Sequence, residues 1–250
     1  MSDILITGGK GFIGSWLTKL SPDQKHTVCM DRKAWDENRW AHEKWGYIIH
    51  LAPVPVDKMI EYARRGNSII LLASSGGVYD REPDAYFRMK QDDEKKLLAS
   101  GLDVRIARIF TTCGAHMKWE RYAIGNFIMQ ADRGGPIQVQ SYGLVVRSYM
   151  YGSDLAEWLW AILLHGEPGG IYNVGSDIPH STQELAFEIA NHFDLKPQIN
   201  IIRKMHYEPR PFYVPDTSRA RDELGLTIKV PFEEAVRLTV EDYRNEQQSR

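Results

Sequence analysis

The stretch ITGGKGFIG, Ile6–Gly14, decides how the chain is read. Its first residues complete an apolar run from Asp3, DILIT, with the composition of a strand buried on both faces. Its last residues open Gly11–Leu20, whose pattern is helical. Gly8, Gly11 and Gly14 therefore punctuate a strand-to-helix turn. Glycines there let the backbone turn tightly and approach a pyrophosphate, and the helix N-terminus adds N–H groups and the positive end of its dipole. A tight turn with no ligand would use the same residues, so the loop alone leaves that alternative open. Asp31 closes the second strand, HTVCMD, where a carboxylate can accept hydrogen bonds from adenosine ribose hydroxyls. It would repel a 2′-phosphate, which points to NAD. Arg32, Lys33 and Lys10 are close in sequence to the same pocket and keep NADP open.

Working outward, strand-like runs alternate with helical ones. YIIHLA (47–52), SIILLAS (68–74) and DVRIARIF (103–110) are apolar runs bounded by polar or turn residues. Asp84–Ser100 predicts a helix, with Asp84 after Pro83 as its start and Gly101 as its stop. This βαβ alternation predicts an α/β fold with a doubly wound, parallel Rossmann sheet. After Gly114 the pattern loosens. Helices are expected near 120–133, 153–164, 181–194, 216–224 and 231–246, and short strands near 137–140, 171–174 and 199–202. The expected division is a dinucleotide-binding domain over 1–114 and a smaller C-terminal α/β substrate lobe over 115–250, with segments returning to the main sheet.

The segment SSGGVYDREPDAYFRMK, Ser74–Lys90, carries the chemistry. Tyr86 and Lys90 are spaced i, i+4 and so share one helical face. A free tyrosine, with a pKa near 10, is a poor acid or base at neutral pH. A nearby ammonium and a positive nicotinamide ring favour the phenolate and lower that value. Ser75, at the end of the preceding strand, can hydrogen-bond the same substrate oxygen. Tyr79 has Pro83 at the fourth position after it and lacks such a partner.

These residues, in this order, resemble the extended short-chain dehydrogenase/reductases of the nucleotide-sugar epimerase/dehydratase family. Thr7–Gly14 matches TGxxGFIG, His50–Ala52 matches HLA, Ser74–Tyr79 matches SSxxVY and Tyr86–Lys90 matches YxxxK. RIFTTCGAHM, GNFIMQADRGGPIQV, VRSYMYGSDLA and RPFYVPDTSRARDELGL extend the resemblance over nearly the whole chain. It implies cofactor contacts at Gly8, Gly11, Phe12, Ile13, Gly14, Asp31, Arg32, Leu51, Ala52, Ser74, Tyr86 and Lys90. It implies a catalytic set of Ser75, Tyr86 and Lys90. Asn126, Arg147 and Arg210, with Ser75, would hold a nucleoside-diphosphate sugar, and a guanidinium fork suits a diphosphate. The implied activity is NAD(P)-dependent epimerisation through a keto-sugar, with a 4-ketoreductase and a non-catalytic dinucleotide sensor as the alternatives.

The chain also departs from that pattern. The segments between Asp31 and Ile48, Ala52 and Ser68, and Tyr79 and Tyr86 are short, which bears on the adenine pocket, on the helix often used for dimerisation and on the substrate lid. A homodimer is therefore left open. Gly76 and Gly77 stand where dehydratases carry an Asp–Glu pair and sugar-acid decarboxylases a glutamate, so the resemblance favours epimerase or reductase chemistry. The composition is that of a globular protein, with 43% hydrophobic and 26% charged residues. A net charge of −2 makes no electrostatic case for nucleic acid or an anionic membrane. The N-terminus reads as a strand rather than a signal peptide, and Cys29 and Cys113 as free thiols, so a cytoplasmic location is expected. The histidines show no metal-ligand spacing, and no metal site is assigned.

Overall fold

In the computed structural model, residues 3–30, 33, 42–52, 54–140, 145–202 and 212–249 are described. Among them the strands are β1 Ile4–Thr7, β2 Thr27–Met30, β3 Tyr47–His50, β4 Ile69–Ser75, β5 Val104–Ile109, β6 Thr112–Cys113 and β7 Ile137–Val139, then β8 Val146–Arg147, β9 Met150–Tyr151, β10 Ile171–Val174, β11 His180–Ser181, β12 Ile199–Ile201 and β13 Phe212–Tyr213. The helices are α1 Phe12–Lys19, α2 Val56–Gly66, α3 Ala85–Leu98, α4 Ala123–Asp132, α5 Gly152–His165, α6 Thr182–Asn191, α7 Ser218–Leu224 and α8 Phe232–Gln248.

Six strands form one sheet in the order β10-β5-β4-β3-β1-β2, every neighbouring pair parallel. Chain order runs outward from β1 in both directions, which is the doubly wound arrangement. The topological switch point lies between β1 and β3, and ligands in such sheets bind beyond the carboxyl ends of the strands there. Continuous burial of Ile4–Thr7, Ile48–His50 and Ile70–Ser74 follows from covering both faces. On one face Leu5, Ile48, Ile70, Leu72, Val104 and Ile106 pack with Val56, Met59, Tyr62 and Ala63 of α2 and Leu97 of α3. Elsewhere in the sheet domain, the α5 indole of Trp160 donates to the Leu17 carbonyl of α1 (3.3 Å).

The short segment after Ala52 still makes a helix. Met59, Tyr62 and Ala63 are buried at i, i+3, i+4, and Asn67 ends α2 in the left-handed conformation (φ 51°). α3 begins as its sequence predicts: the Asp84 carboxylate accepts the Phe87 N–H (3.0 Å). Gly101, at φ +74°, follows its end.

By internal contacts the chain divides into two units. One comprises residues 1–110, 155–174 and 216–227 and holds the six-stranded sheet. The other comprises 111–154, 175–215 and 228–250. Its strands pair as β12-β7, β6-β9 and β11-β8-β13. Its α6 carries a full capping box, Ser181 with Glu184. Two carboxylates brace this unit: Asp154 accepts the Lys229 and Val230 N–H groups, and Glu246 accepts the Trp119 indole N–H. Cys29 and Cys113 are free thiols.

Because α3 carries Tyr86 and Lys90, its cap is a direct test of the local fold. Asp84→Ala is expected to lower unfolding free energy by about 1 kcal/mol, with most of it kept in Asp84→Asn. Urea denaturation of the three proteins measures this, and equal midpoints would show that the cap contributes nothing.

Candidate active site

The glycine loop joins β1 to α1 at the switch point. Gly8 has φ +75°, and a methyl there would lie 3.2 Å from the Ala52 nitrogen beyond β3. Gly14 leaves no room for a methyl, which would run into the Gly8 carbonyl and the Gly9 backbone. Gly11 differs: it caps α1 in extended backbone (φ −80°, ψ 175°), and a methyl there would meet only the Gly8 oxygen, at 3.3 Å. Two glycines are thus fixed by the fold, while the third meets a single backbone oxygen at the start of a helix whose cap has no side-chain hydrogen bond. That cradle, with Phe12, Ile13 and Gly14 in the first turn, fits a phosphate drawn to backbone N–H groups.

The floor beside it is held by a polar knot that sequence reasoning did not single out. The Val54 carbonyl can only accept, so His50 carries its proton on Nε2 and donates it there (3.1 Å). His50 Nδ1 then accepts the Thr7 hydroxyl (3.0 Å), and Thr7 Oγ1 in turn accepts the N–H groups of Leu51 (3.1 Å) and Ala52 (3.3 Å). This knot ties the ends of β1 and β3 and sets the backbone of Leu51 and Ala52. Burial, reinforced by the Lys90 charge, holds the His50 imidazole down at about 4.

β4 and α3 bring the predicted catalytic residues into one unit. Ser75 is half-buried at the start of the short 3-10 turn Gly76–Tyr79, and its hydroxyl accepts the Gly77 N–H (3.3 Å). Tyr86 is 47% exposed, its ring edge-to-face with Phe87 at 5.3 Å. Lys90 is 2% exposed, donates to the Ala73 carbonyl (3.0 Å) and lies 6.0 Å from the centre of the Tyr86 ring. Burial pushes the Lys90 ammonium down from its ordinary value, while Asp93 and then Glu94 oppose that shift.

The other residues fall as follows. Ser74 is buried and gives its hydroxyl to Glu94 (2.5 Å), so its side chain serves the β4–α3 packing. Glu94 also takes both prongs of Arg108 (3.1 and 2.6 Å). The Arg108 guanidinium lies 4.6 Å from the Tyr79 ring centre, and the Tyr79 hydroxyl donates to Asn173 (2.9 Å). Tyr79 therefore belongs to a structural network. Gly76 and Gly77 are buried against aromatic rings. A methyl on Gly76 would lie 2.5 Å from Phe110, and one on Gly77 would clash with the edge atoms of the Phe87 ring. In the second unit, Asn126 Nδ2 donates to the Glu120 (3.0 Å) and Tyr122 (3.2 Å) carbonyls. Arg147 donates to the Val146 carbonyl (2.9 Å) and lies 5.7 Å from the Tyr213 ring centre. Asp31, Arg32 and Arg210 lie outside the described residues. Among the described residues, no group of three or more His, Cys, Asp or Glu is placed to hold a metal, and no helix is long and apolar enough to cross a membrane.

Residues 94–175 match the model of the NAD dependent epimerase/dehydratase family. UDP-glucuronic acid decarboxylase 5 of Arabidopsis thaliana is 28% identical over 96% of this chain and 89% of its own length. That alignment runs over 305 positions against a chain of 250, so the relative carries insertions, in keeping with the short segments here. An epimerase from Methanothermobacter thermautotrophicus superposes with a TM-score of 0.85 at 20% identity, covering 99% of this chain and 94% of that one. A dTDP-glucose 4,6-dehydratase from Bacillus anthracis, in complex with NAD, gives 0.82 at 17%, covering 99% and 98%. The family resemblance read from the motifs is thus found independently by family model and relatives, and the Rossmann-type fold by the solved structures.

The His50 knot has a pH signature. Its folded value lies below the ordinary 6.5, so between those values the unfolded chain binds more protons. The stabilisation is therefore complete above about pH 6.5 and is lost as pH falls towards 4, on the order of 3 kcal/mol in all. Urea midpoints measured from pH 7 to 4.5 should fall less steeply in His50→Gln than in the wild type. Parallel curves would remove His50 from the acid response.

Proposed function

We propose that the protein is an NAD(P)-dependent enzyme that oxidises and re-reduces a sugar carbinol of a nucleoside diphosphate sugar, with epimerisation through a keto-sugar as the net reaction. The observation that carries this reading is the Tyr86–Lys90 pair: an exposed phenol above a buried ammonium, on a helix anchored to the strand that ends in Ser75. A bound nicotinamide cofactor would supply the reversible hydride transfer. Gly8, Gly11, Phe12, Ile13 and Gly14 would hold its pyrophosphate, and Leu51, Ala52 and the backbone at Ser74 would line its path, with Asp31 as the ribose contact expected from sequence and Arg32 next to it, able to neutralise a 2′-phosphate.

Tyr86 removes the hydroxyl proton as the carbon is oxidised and returns it on reduction. The cationic Lys90 favours the phenolate, and Ser75 orients the substrate oxygen. Asn126, Arg147 and Arg210 are proposed for the diphosphate. Support for the sugar class comes from relatives named as UDP-glucuronic acid decarboxylases and from the dTDP-glucose dehydratase among the structural neighbours. The crowded Gly76–Gly77 turn favours epimerisation or ketoreduction over elimination, because the turn offers no carboxyl group and no space for one.

Incubation with UDP-, dTDP-, GDP- and CDP-sugars, UDP-glucuronic acid included, with NAD or NADPH, tests this. An epimer formed without net cofactor consumption is expected. Stoichiometric consumption would make the protein a reductase, release of carbon dioxide a decarboxylase, and no turnover on any sugar would favour a cofactor sensor. Tyr86→Phe should cut turnover by roughly 10²- to 10⁴-fold; unchanged turnover would sink the assignment of Tyr86.

A further inference from the structure

Lys90 is buried on α3, and the next two residues on its helical face, Asp93 and Glu94 at i+3 and i+4, are buried carboxylates, 8% and 5% exposed. Isolated buried charges are costly, so three on one helical turn need a mutual explanation. Glu94 is already matched: it holds Arg108 in a two-pronged ion pair and accepts the Ser74 hydroxyl. It also borders, with Gln91, Lys95 and Arg108, a cavity of about 350 Å³ that neither Lys90 nor Asp93 lines. The Lys90 ammonium donates to a neutral carbonyl, that of Ala73, which supplies no charge of opposite sign.

We infer that Asp93 is a positioning residue for the Tyr86–Lys90 pair, supplying the buried counter-charge that keeps the Lys90 ammonium ionised at the Ala73 carbonyl. The four buried or half-buried charges Lys90, Asp93, Glu94 and Arg108 then sum to zero. The other groups on this cluster fit the assignment. His50 of β3 is neutral in its knot with Thr7, and Tyr86 stands beside the ammonium. Lys96 and Asp57 of α2 face Asp93 but pair with each other at 3.0 Å. Burial raises the Asp93 carboxyl, and the Lys90 charge is the leading influence that opposes this. The inference rests on the proposed role of Tyr86 and Lys90 for its catalytic meaning, but its test does not.

The ionisation of Lys90 can be followed by NMR of the ¹³C-lysine-labelled protein, without cofactor or substrate, its signal assigned from Lys90→Arg. Asp93→Asn is expected to raise the Lys90 acid dissociation constant roughly tenfold, and Glu94→Gln to raise it less. An unchanged constant in Asp93→Asn, or an equal or larger effect of Glu94→Gln, overturns the proposal. Should Asp93→Asn fail to fold, the reciprocal measurement serves: linkage requires Lys90→Met to lower the Asp93 acid dissociation constant by the same factor, and no fall overturns the proposal. In the active enzyme, Asp93→Asn moves the falling limb of the kcat–pH profile to lower pH, because Lys90 loses its proton earlier. A purely structural role would instead scale kcat equally at every pH.

Discussion

Lys90 donates from the middle of α3 to the carbonyl of Ala73 near the end of β4, and much of the site is arranged around burying that ammonium. The bond fixes the helix that carries Tyr86 against the strand that carries Ser75. It also draws in what surrounds it. His50 stays neutral partly because Lys90 is charged, and so can serve as an acceptor for Thr7. Thr7, its own proton given away, accepts the two N–H groups at the end of β3. One buried charge is thereby linked, through an imidazole and a hydroxyl, to the backbone beside the glycine loop.

The same packing limits the chemistry. The Gly76–Gly77 turn directly follows Ser75, yet both side-chain positions are filled by rings. Phe87 comes from the residue after Tyr86, and Phe110 from the end of β5. Restoring a carboxyl group at Gly77 would need Phe87 to move, and Phe87 packs on Tyr86. The glycines and the phenylalanines form one unit, which ties the absence of an acid to the placement of the phenol.

Much of the sheet was legible because burial on both faces leaves continuous apolar runs, and Asp84 and Gly101 bracket α3 with ordinary helix signals. Tyr86 and Lys90 were legible because i, i+4 spacing survives in one dimension. α2 was not, because its segment is short and highly charged, and only Val56, Met59, Tyr62 and Ala63 of it are buried. His50 looked like one polar residue in an apolar strand. Its partners, Thr7 and Val54, come from a different strand and from a loop, and no local pattern joins them. Arg108 and Glu94 were hidden for the same reason, one on β5 and the other on α3. Asp93 had a visible signal, since it stands three residues after Lys90, but a charge run on a helix normally marks a solvated face.

That exception is informative. In DDEKK, Asp92–Lys96, hydropathy alone makes all five residues surface-like, and Asp92, Lys95 and Lys96 are indeed exposed. Asp93 and Glu94 are not, because Lys90 fixes the inward face of α3 one turn earlier and 3.6-residue periodicity carries it to positions 93 and 94. Apolar residues there would pack more cheaply but would leave Lys90 without a negative neighbour in the interior. Glu94 has Arg108 as its partner, so Asp93 is the acid whose burial points to Lys90.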